Sequence, residues 1–201
     1  MSQYFENDKT IKSEPKTVTC WCGEHLLKLQ TDHGVFSYGE IDDASLKLLK
    51  YCDELRGKVL DLGCGYGFIG IYLKKKYPNI DLYQSDINER ALNLCKMNCA
   101  TNEITSTVVY SDAFSNLNIT FDNIILNPPV HAGKEICYKL IDESINNLNK
   151  DGSLYIVIRK KHGADSYIKY CKEREYDYLI LDKKDGIYVI SIRKGRHQSE
   201  Y

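Results

Sequence analysis

Acids and glycines recur in this sequence at intervals that suit nucleotide chemistry. Asp61-Leu62-Gly63-Cys64-Gly65-Tyr66-Gly67 places a glycine at every second position after an acid. Gly65, Gly67 and Gly70 satisfy the G-x-G-x-x-G spacing, in which bare backbone admits a ligand and the next helix offers unpaired N–H groups. Asp86 stands 19 residues beyond Gly67, where an acid can accept from both ribose hydroxyls. Asp112-Ala113, Asn127-Pro128-Pro129-Val130 and Arg159-Lys160-Lys161-His162 follow further along.

The charge of Asp61 discriminates between nucleotide ligands. A pyrophosphate would bring negative charge against it, and like charges at close range are unfavourable, which counts against an NAD-dependent reductase. S-adenosylmethionine instead carries an ammonium, a sulfonium and a ribose. On this reading Asp61 meets the ammonium side directly or through water, and Gly63, Gly65 and Gly67 form the loop beneath the ligand. Asp86 takes the ribose. Asp112 and Ala113 sit at the adenine, where Asp112 accepts from the amino group and backbone N–H groups bind the ring. Helix caps and a tight turn use the same residue types. Four such elements at consecutive strand ends favour the ligand.

Those strand ends come from the apolar pattern. Lys16 to Leu29 reads as a hairpin punctuated by Gly23, and Ala44 to Cys52 as a helix. From Gly57 onward strands alternate with helices. The strands are 59–62, 80–84, 106–110, 121–126 and 154–158, and the helices are 68–76, 89–98, 135–148 and 164–174. Two closing strands, 176–181 and 187–192, are joined by Asp185-Gly186, so they cannot be parallel neighbours. The expected fold is α/β: a mostly parallel Rossmann-like sheet with an antiparallel C-terminal strand, preceded by a β-hairpin extension. The division expected is residues 1–56 for the hairpin-and-helix extension and 57–201 for the ligand-binding domain, as one structural unit. In such a sheet the ligand lies off the carboxyl ends of the strands, where strand order reverses.

Composition narrows the classes. Hydrophobic residues make up 43% and charged residues 27%, an ordinary globular balance. Lys and Arg total 27 against 28 for Asp and Glu, so bulk charge does not point to DNA. No stretch has the length and apolarity of a membrane span, and the first residues lack the apolar region of a secretory signal. A reducing cytoplasmic location is expected, and with it eight unpaired cysteines. Cys20/Cys22 and Cys95/Cys99 complete no zinc pattern and read as small buried apolar positions, so no metal is expected.

Asp61 to Gly67, Asp86, Asn127-Pro128-Pro129 and the turn Asn149-Lys150-Asp151-Gly152 resemble class I methyltransferases. More narrowly, the chain resembles the small methyltransferase domain of the RsmC-like family, which includes the bacterial 16S ribosomal RNA guanine-N2 methyltransferases. Tyr4-Phe5, Thr31-Asp32-His33-Gly34-Val35-Phe36-Ser37 and Asn127-Pro128-Pro129-Val130-His131-Ala132-Gly133-Lys134 carry that likeness. The resemblance implies transfer of a methyl group from S-adenosylmethionine to a planar nitrogen, most simply guanine N2 in ribosomal RNA, with Asn127, Pro128 and Pro129 catalytic and Asn127 also beside the cofactor.

An exocyclic amino group is a poor nucleophile because its lone pair is delocalised into the ring. The Asn127 side-chain carbonyl and the Pro128 backbone carbonyl can each accept one of its hydrogens, which aims the lone pair at the methyl group. Proline fixes φ and removes a competing donor. Positioning then does most of the work. Many relatives carry Phe or Tyr where this chain has Val130, which cannot stack on a base as an aromatic, so Phe36, Tyr38 and His131 are the candidates for that contact. Arg159, Lys160 and Lys161 are candidates for substrate phosphates. The larger ribosomal enzymes of the family carry an extra domain before the catalytic one, which leaves two competing substrates: RNA, and a protein glutamine amide needing the same Asn-Pro-Pro geometry.

Overall fold

The computed structural model describes residues 10–193; Tyr4-Phe5 and the basic residues Lys194, Arg196 and His197 lie outside them. The chain opens with an antiparallel hairpin, β1 (Lys16–Cys22) and β2 (His25–Thr31), followed by α1 (Asp43–Leu49). Then come β3 (Lys58–Leu62), α2 (Phe68–Lys76), β4 (Asp81–Asp86), α3 (Glu89–Thr101), β5 (Thr107–Tyr110), β6 (Phe121–Leu126), α4 (Lys134–Asn146), β7 (Leu148–Arg159), α5 (Ala164–Glu173), β8 (Asp177–Asp182) and β9 (Ile187–Arg193).

The main sheet has the order β5-β4-β3-β6-β7-β9-β8. Strands β3 to β7 run parallel, whereas β9 is antiparallel to both β7 and β8. This is the expected α/β sheet with an antiparallel C-terminal strand. From β3 the chain moves outward through β4 and β5, then returns to the other side of β3 with β6. Strand order therefore reverses between β3 and β6.

Side-chain alternation divides the core in two. Val59 and Ile125 face the layer shared with α2 and α3, while Leu60, Leu62, Ile124 and Leu126 face α4 and α5. On α4, Cys137, Ile141 and Ile145 recur at intervals of four and are fully buried. Burial of side chains this size stabilises by roughly 1.5–3 kcal/mol each, so this stripe fixes how α4 lies on the sheet.

The N-terminal hairpin shares the α2–α3 layer through Val18, Leu27 and Leu29. Two asparagines on α3 fasten it. Asn98 Nδ2 donates to the Gln30 and Tyr66 carbonyls while its Oδ1 accepts from the Gln30 N–H at 2.7 Å. One turn later, Asn102 does the same for Lys28, accepting at 3.0 Å and donating at 2.8 Å. The open edge of β2 thus pairs with side-chain amides in place of another strand.

Several element ends differ from expectation. The helix expected over 44–52 stops at Leu49, and that over 135–148 stops at Asn146. Leu148 already pairs with Phe121 as the first residue of β7. The expected turn at Asn149–Gly152 is absorbed into β7 beside a register shift on β6. Gly152 fits closely there, since a Cβ would lie 3.0 Å from the Asn149 and Asp122 carbonyl oxygens and would press on both. Among the described residues no helix is long and apolar enough to cross a membrane. All eight cysteines are free thiols, seven of them buried.

Candidate active site

A cleft of about 1160 Å³ opens off the carboxyl ends of β3, β4 and β6, at the reversal of strand order. It is slightly larger than a usual single-ligand pocket, which leaves room for two reactants. The loop after β3 forms its floor. Gly63 and Gly65 adopt φ of 71° and 55°, and a Cβ on either would meet nothing within 4 Å. Their faces are therefore clear for a ligand. The loop is tied to β4: Gly63 and Cys64 N–H groups donate to the Ser85 carbonyl at 2.8 and 2.9 Å, and the Gly65 N–H donates to Asp86 Oδ2 at 2.8 Å.

Asp86 lines the cleft beside this loop. Its Oδ1 also accepts from the Asn88 N–H at 2.9 Å. Burial pushes its carboxyl above the ordinary range, and the backbone donors pull the other way. Asp112, exposed, and Ala113, at φ 47°, also line the cleft.

Two residues expected at the cofactor lie elsewhere. Asp61 is 1% exposed and is not among the cleft-lining residues. Alternation along β3 turns its side chain under α2, away from Leu60 and Leu62. There it accepts from the Gly70 N–H at 2.9 Å and faces Gln84 Nε2 at 3.5 Å. Burial raises its carboxyl to about 7. The electrostatic argument against a pyrophosphate therefore rests on Asp86 and Asp112, which do face the cleft. Gly67 also stands back from the ligand: it caps α2, and a Cβ there would meet Cys95 Sγ at 2.8 Å. Its role is close packing of α2 on α3.

Asn127, Pro128 and Pro129 follow β6 into the same cleft. The Asn127 side-chain nitrogen donates to Asp42 Oδ2 at 3.1 Å and to Ser45 Oγ at 3.0 Å. The loop continues as a short 3₁₀ turn, Val130–Ala132. Val130 and His131 line the cleft, and the His131 ring packs edge-to-face on His162 at 5.7 Å. Burial and the neighbouring Lys161, His131 and Arg159 lower the His162 pKa, which favours a neutral ring. Phe36 reaches the cleft with 47% of its surface exposed. Tyr38 does not: it packs on His33 at 4.0 Å and under the Lys16 ammonium at 4.4 Å.

The basic run after β7 divides. Arg159 lines the cleft, but its guanidinium is engaged with Asp42 at 2.9 Å and with both oxygens of Asp43. It is thus held by carboxylates. Lys161 is exposed and on the cleft lining; Lys160 is exposed beyond it. Sequence reasoning missed Asp42 and Ser45. The helix-capping signal was present, since Asp42 accepts from the Ser45 N–H at 2.8 Å, but nothing local linked it to Asn127.

Over residues 26–190 the sequence matches the family described as methyltransferase small domain. The chain belongs to this family. It is 36% identical to the Bacillus subtilis (strain 168) protein YbxB over 200 residues, covering 96% of this chain and all of that one. It is 44% identical to the Ribosomal RNA small subunit methyltransferase C of Actinobacillus pleuropneumoniae serotype 7 (strain AP76), covering 81% of this chain and 47% of that protein. The T. thermophilus 16S rRNA N2 methyltransferase RsmC, solved with AdoMet and guanosine, superposes with a TM-score of 0.79 at 22% identity, covering 90% of this chain and 50% of that one. The chain spans about half the length of the relatives named for ribosomal RNA. Membership of the methyltransferase small domain family agrees with the S-adenosylmethionine-dependent methyltransferase read from the strand ends, and relatives named methyltransferase C agree with the RsmC-like resemblance.

Proposed function

We propose that this methyltransferase transfers a methyl group from S-adenosylmethionine to the exocyclic N2 amino group of guanine in ribosomal RNA, in the cytoplasm. One observation carries the reading: the glycine loop with Asp86 and the Asn127-Pro128-Pro129 segment open into a single cleft, so a methyl donor and a planar amine can meet there. The clear faces of Gly63 and Gly65 and the carboxylate of Asp86 suit the donor's amino-acid and ribose parts, with Asp112 and Ala113 at the adenine. When bound, S-adenosylmethionine supplies an electrophilic methyl carbon on a positively charged sulfur.

The protein's own residues orient the amine. Asn127 has its amide nitrogen committed to Asp42 and Ser45, which leaves Oδ1 as its acceptor for one amine hydrogen. The Pro128 carbonyl accepts the Val130 N–H at 2.8 Å and retains a second lone pair for the other hydrogen. The nitrogen lone pair then points at the methyl carbon. The new C–N bond forms as the C–S bond breaks, the bonding electrons return to sulfur, and the amine releases one proton to solvent. Phe36 and His131 stand in for the aromatic residue absent at Val130, and Lys161 with Lys160 offers free cations to phosphates.

A protein glutamine amide, which needs the same Asn-Pro-Pro geometry and is compatible with the aliphatic Val130, is the competing substrate. Labelled methyl transfer to undermethylated small ribosomal subunits, with free 16S RNA and peptide-release factors in parallel, separates the two. Label recovered as N2-methylguanosine supports the proposal. Label on a release-factor glutamine, with none on RNA, replaces it.

A further inference from the structure

We infer that Asp42 is a positioning residue for methyl transfer: it fixes which end of the Asn127 amide faces the substrate, and Arg159 holds it in place. The inference rests on the proposed role of Asn127 for its activity readout, but its geometry stands independently.

Asp42 and Asn127 are 85 residues apart in the chain, yet their side chains meet. An ionised carboxylate has only acceptors, so the end of the amide facing Asp42 must be the nitrogen. Ser45 reinforces this choice. Its hydroxyl proton goes to the same Asp42 Oδ2 at 2.9 Å, so its oxygen accepts from Asn127. Both Asn127 N–H bonds are therefore committed. A flipped amide would bring Oδ1 against the carboxylate and turn N–H groups toward the hydrogens of the substrate amine, with no acceptor left for them. The Asp42 network thus selects between an accepting and a repelling Asn127.

The other side of Asp42 is equally engaged. Oδ1 accepts from Arg159 Nη2 at 2.9 Å, and the guanidinium extends to Asp43. The Asp42 side chain is 12% exposed, so these charges are weakly screened. Arg159 keeps the Asp42 carboxylate aimed. Its cation serves this framework, and substrate phosphates are left to the two lysines.

Capping of α1 alone would also explain an acid at this position, since Asp42 accepts from the Ser45 N–H. Ser and Asn cap helices comparably. Asp42→Ser keeps a cap but is too short and uncharged to hold Asn127 and Arg159 together. Asp42→Asn is the second variant, and preserves size should Ser lower the melting temperature.

Two measurements on the full chain test the inference. In 15N-asparagine-labelled protein, the Asn127 side-chain amide, assigned by its loss in Asn127→Ala, should exchange with solvent at least about tenfold more slowly than exposed asparagine amides, as expected for two committed N–H bonds. Asp42→Ser should abolish that protection. In single-turnover transfer to undermethylated ribosomal subunits, Asp42→Ser should slow the methyl-transfer rate by about tenfold while leaving the S-adenosylmethionine Kd within about twofold, because the loss concerns orientation in the transition state. In an Asn127→Ala background the same change should have no further effect on rate. An unprotected wild-type amide, or multiplicative rate losses in the double variant, would overturn the inference. If wild-type protein methylates no RNA, the substrate proposal fails, and the exchange experiment alone decides the role of Asp42.

Discussion

The Gly65 N–H donates to Asp86 Oδ2 at 2.8 Å, joining the loop after β3 to the end of β4. The contact gives Asp86 two duties, because the carboxylate that can receive a ribose also sets the path of the glycine loop. Asp86→Ala should weaken S-adenosylmethionine binding by about 1–3 kcal/mol, the cost of leaving hydroxyls and a backbone donor unpaired. Calorimetric titration measures it. An unchanged affinity would remove Asp86 from the cofactor seat and leave it as a loop fastener.

Arg159 and its two lysine neighbours should respond differently to charge reversal. Lys160→Glu and Lys161→Glu should raise the KM for RNA and flatten its dependence on salt, since each phosphate contact releases counterions. The cofactor Kd should hold. Arg159→Glu should instead lower the melting temperature, because it sets a third carboxylate against Asp42 and Asp43. Equal kinetic effects from all three reversals, with melting unchanged, would contradict this division.

Local pattern explains what the sequence made legible. The glycine spacing, the acid at Asp86 and the alternation of strands and helices each arise within a few residues or a single βαβ unit. They sufficed for the sheet, its antiparallel end and most of the cleft. Asp61 was misplaced because position at a strand end does not say which face of the sheet a side chain takes; the neighbours Leu60 and Leu62 decide it by filling the opposite layer. Arg159 looked like a phosphate ligand because its partners lie more than a hundred residues earlier. Asn98 and Asn102 gave no signal either. Their partners are backbone groups of β2, and backbone leaves no mark in composition.

The buried Asp61 predicts a pH dependence of stability. Its folded pKa, about 7, lies above the ordinary 3.8, so the folded chain binds this proton more tightly than the unfolded one. The stabilisation is complete below about pH 4 and declines as pH rises through 7. A shift of this size corresponds to roughly 4 kcal/mol at most. Asp61→Asn mimics the protonated form and keeps an acceptor for the Gly70 N–H. Its melting temperature should therefore fall less than that of wild type between pH 5 and about pH 8. Parallel melting curves across that window would mean that Asp61 ionises normally.

The Asn127 variants distinguish accepting a hydrogen bond from merely occupying space. Asn127→Ala should leave S-adenosylmethionine affinity within a few fold and reduce kcat by roughly 10²-fold, as when a pre-aimed polar group is lost. Asn127→Asp is sharper because of Asp42. It would place two carboxylates where an amide nitrogen now sits 3.1 Å from Asp42 Oδ2. Like charges that close share a proton, and the pair titrates as a unit with one pKa raised. When the pair holds that proton on residue 127, the new O–H donates to Asp42 as the amide did, and the remaining oxygen accepts from the substrate. Activity of Asn127→Asp relative to wild type should therefore increase as pH falls and approach the Ala variant as pH rises. The pH–rate profile under single-turnover conditions measures it. A flat ratio at the level of Ala would mean that the amide itself is required. Full activity of Asn127→Ala would mean that Asn127 accepts nothing from the substrate, leaving the Pro128 carbonyl as the acceptor at this site.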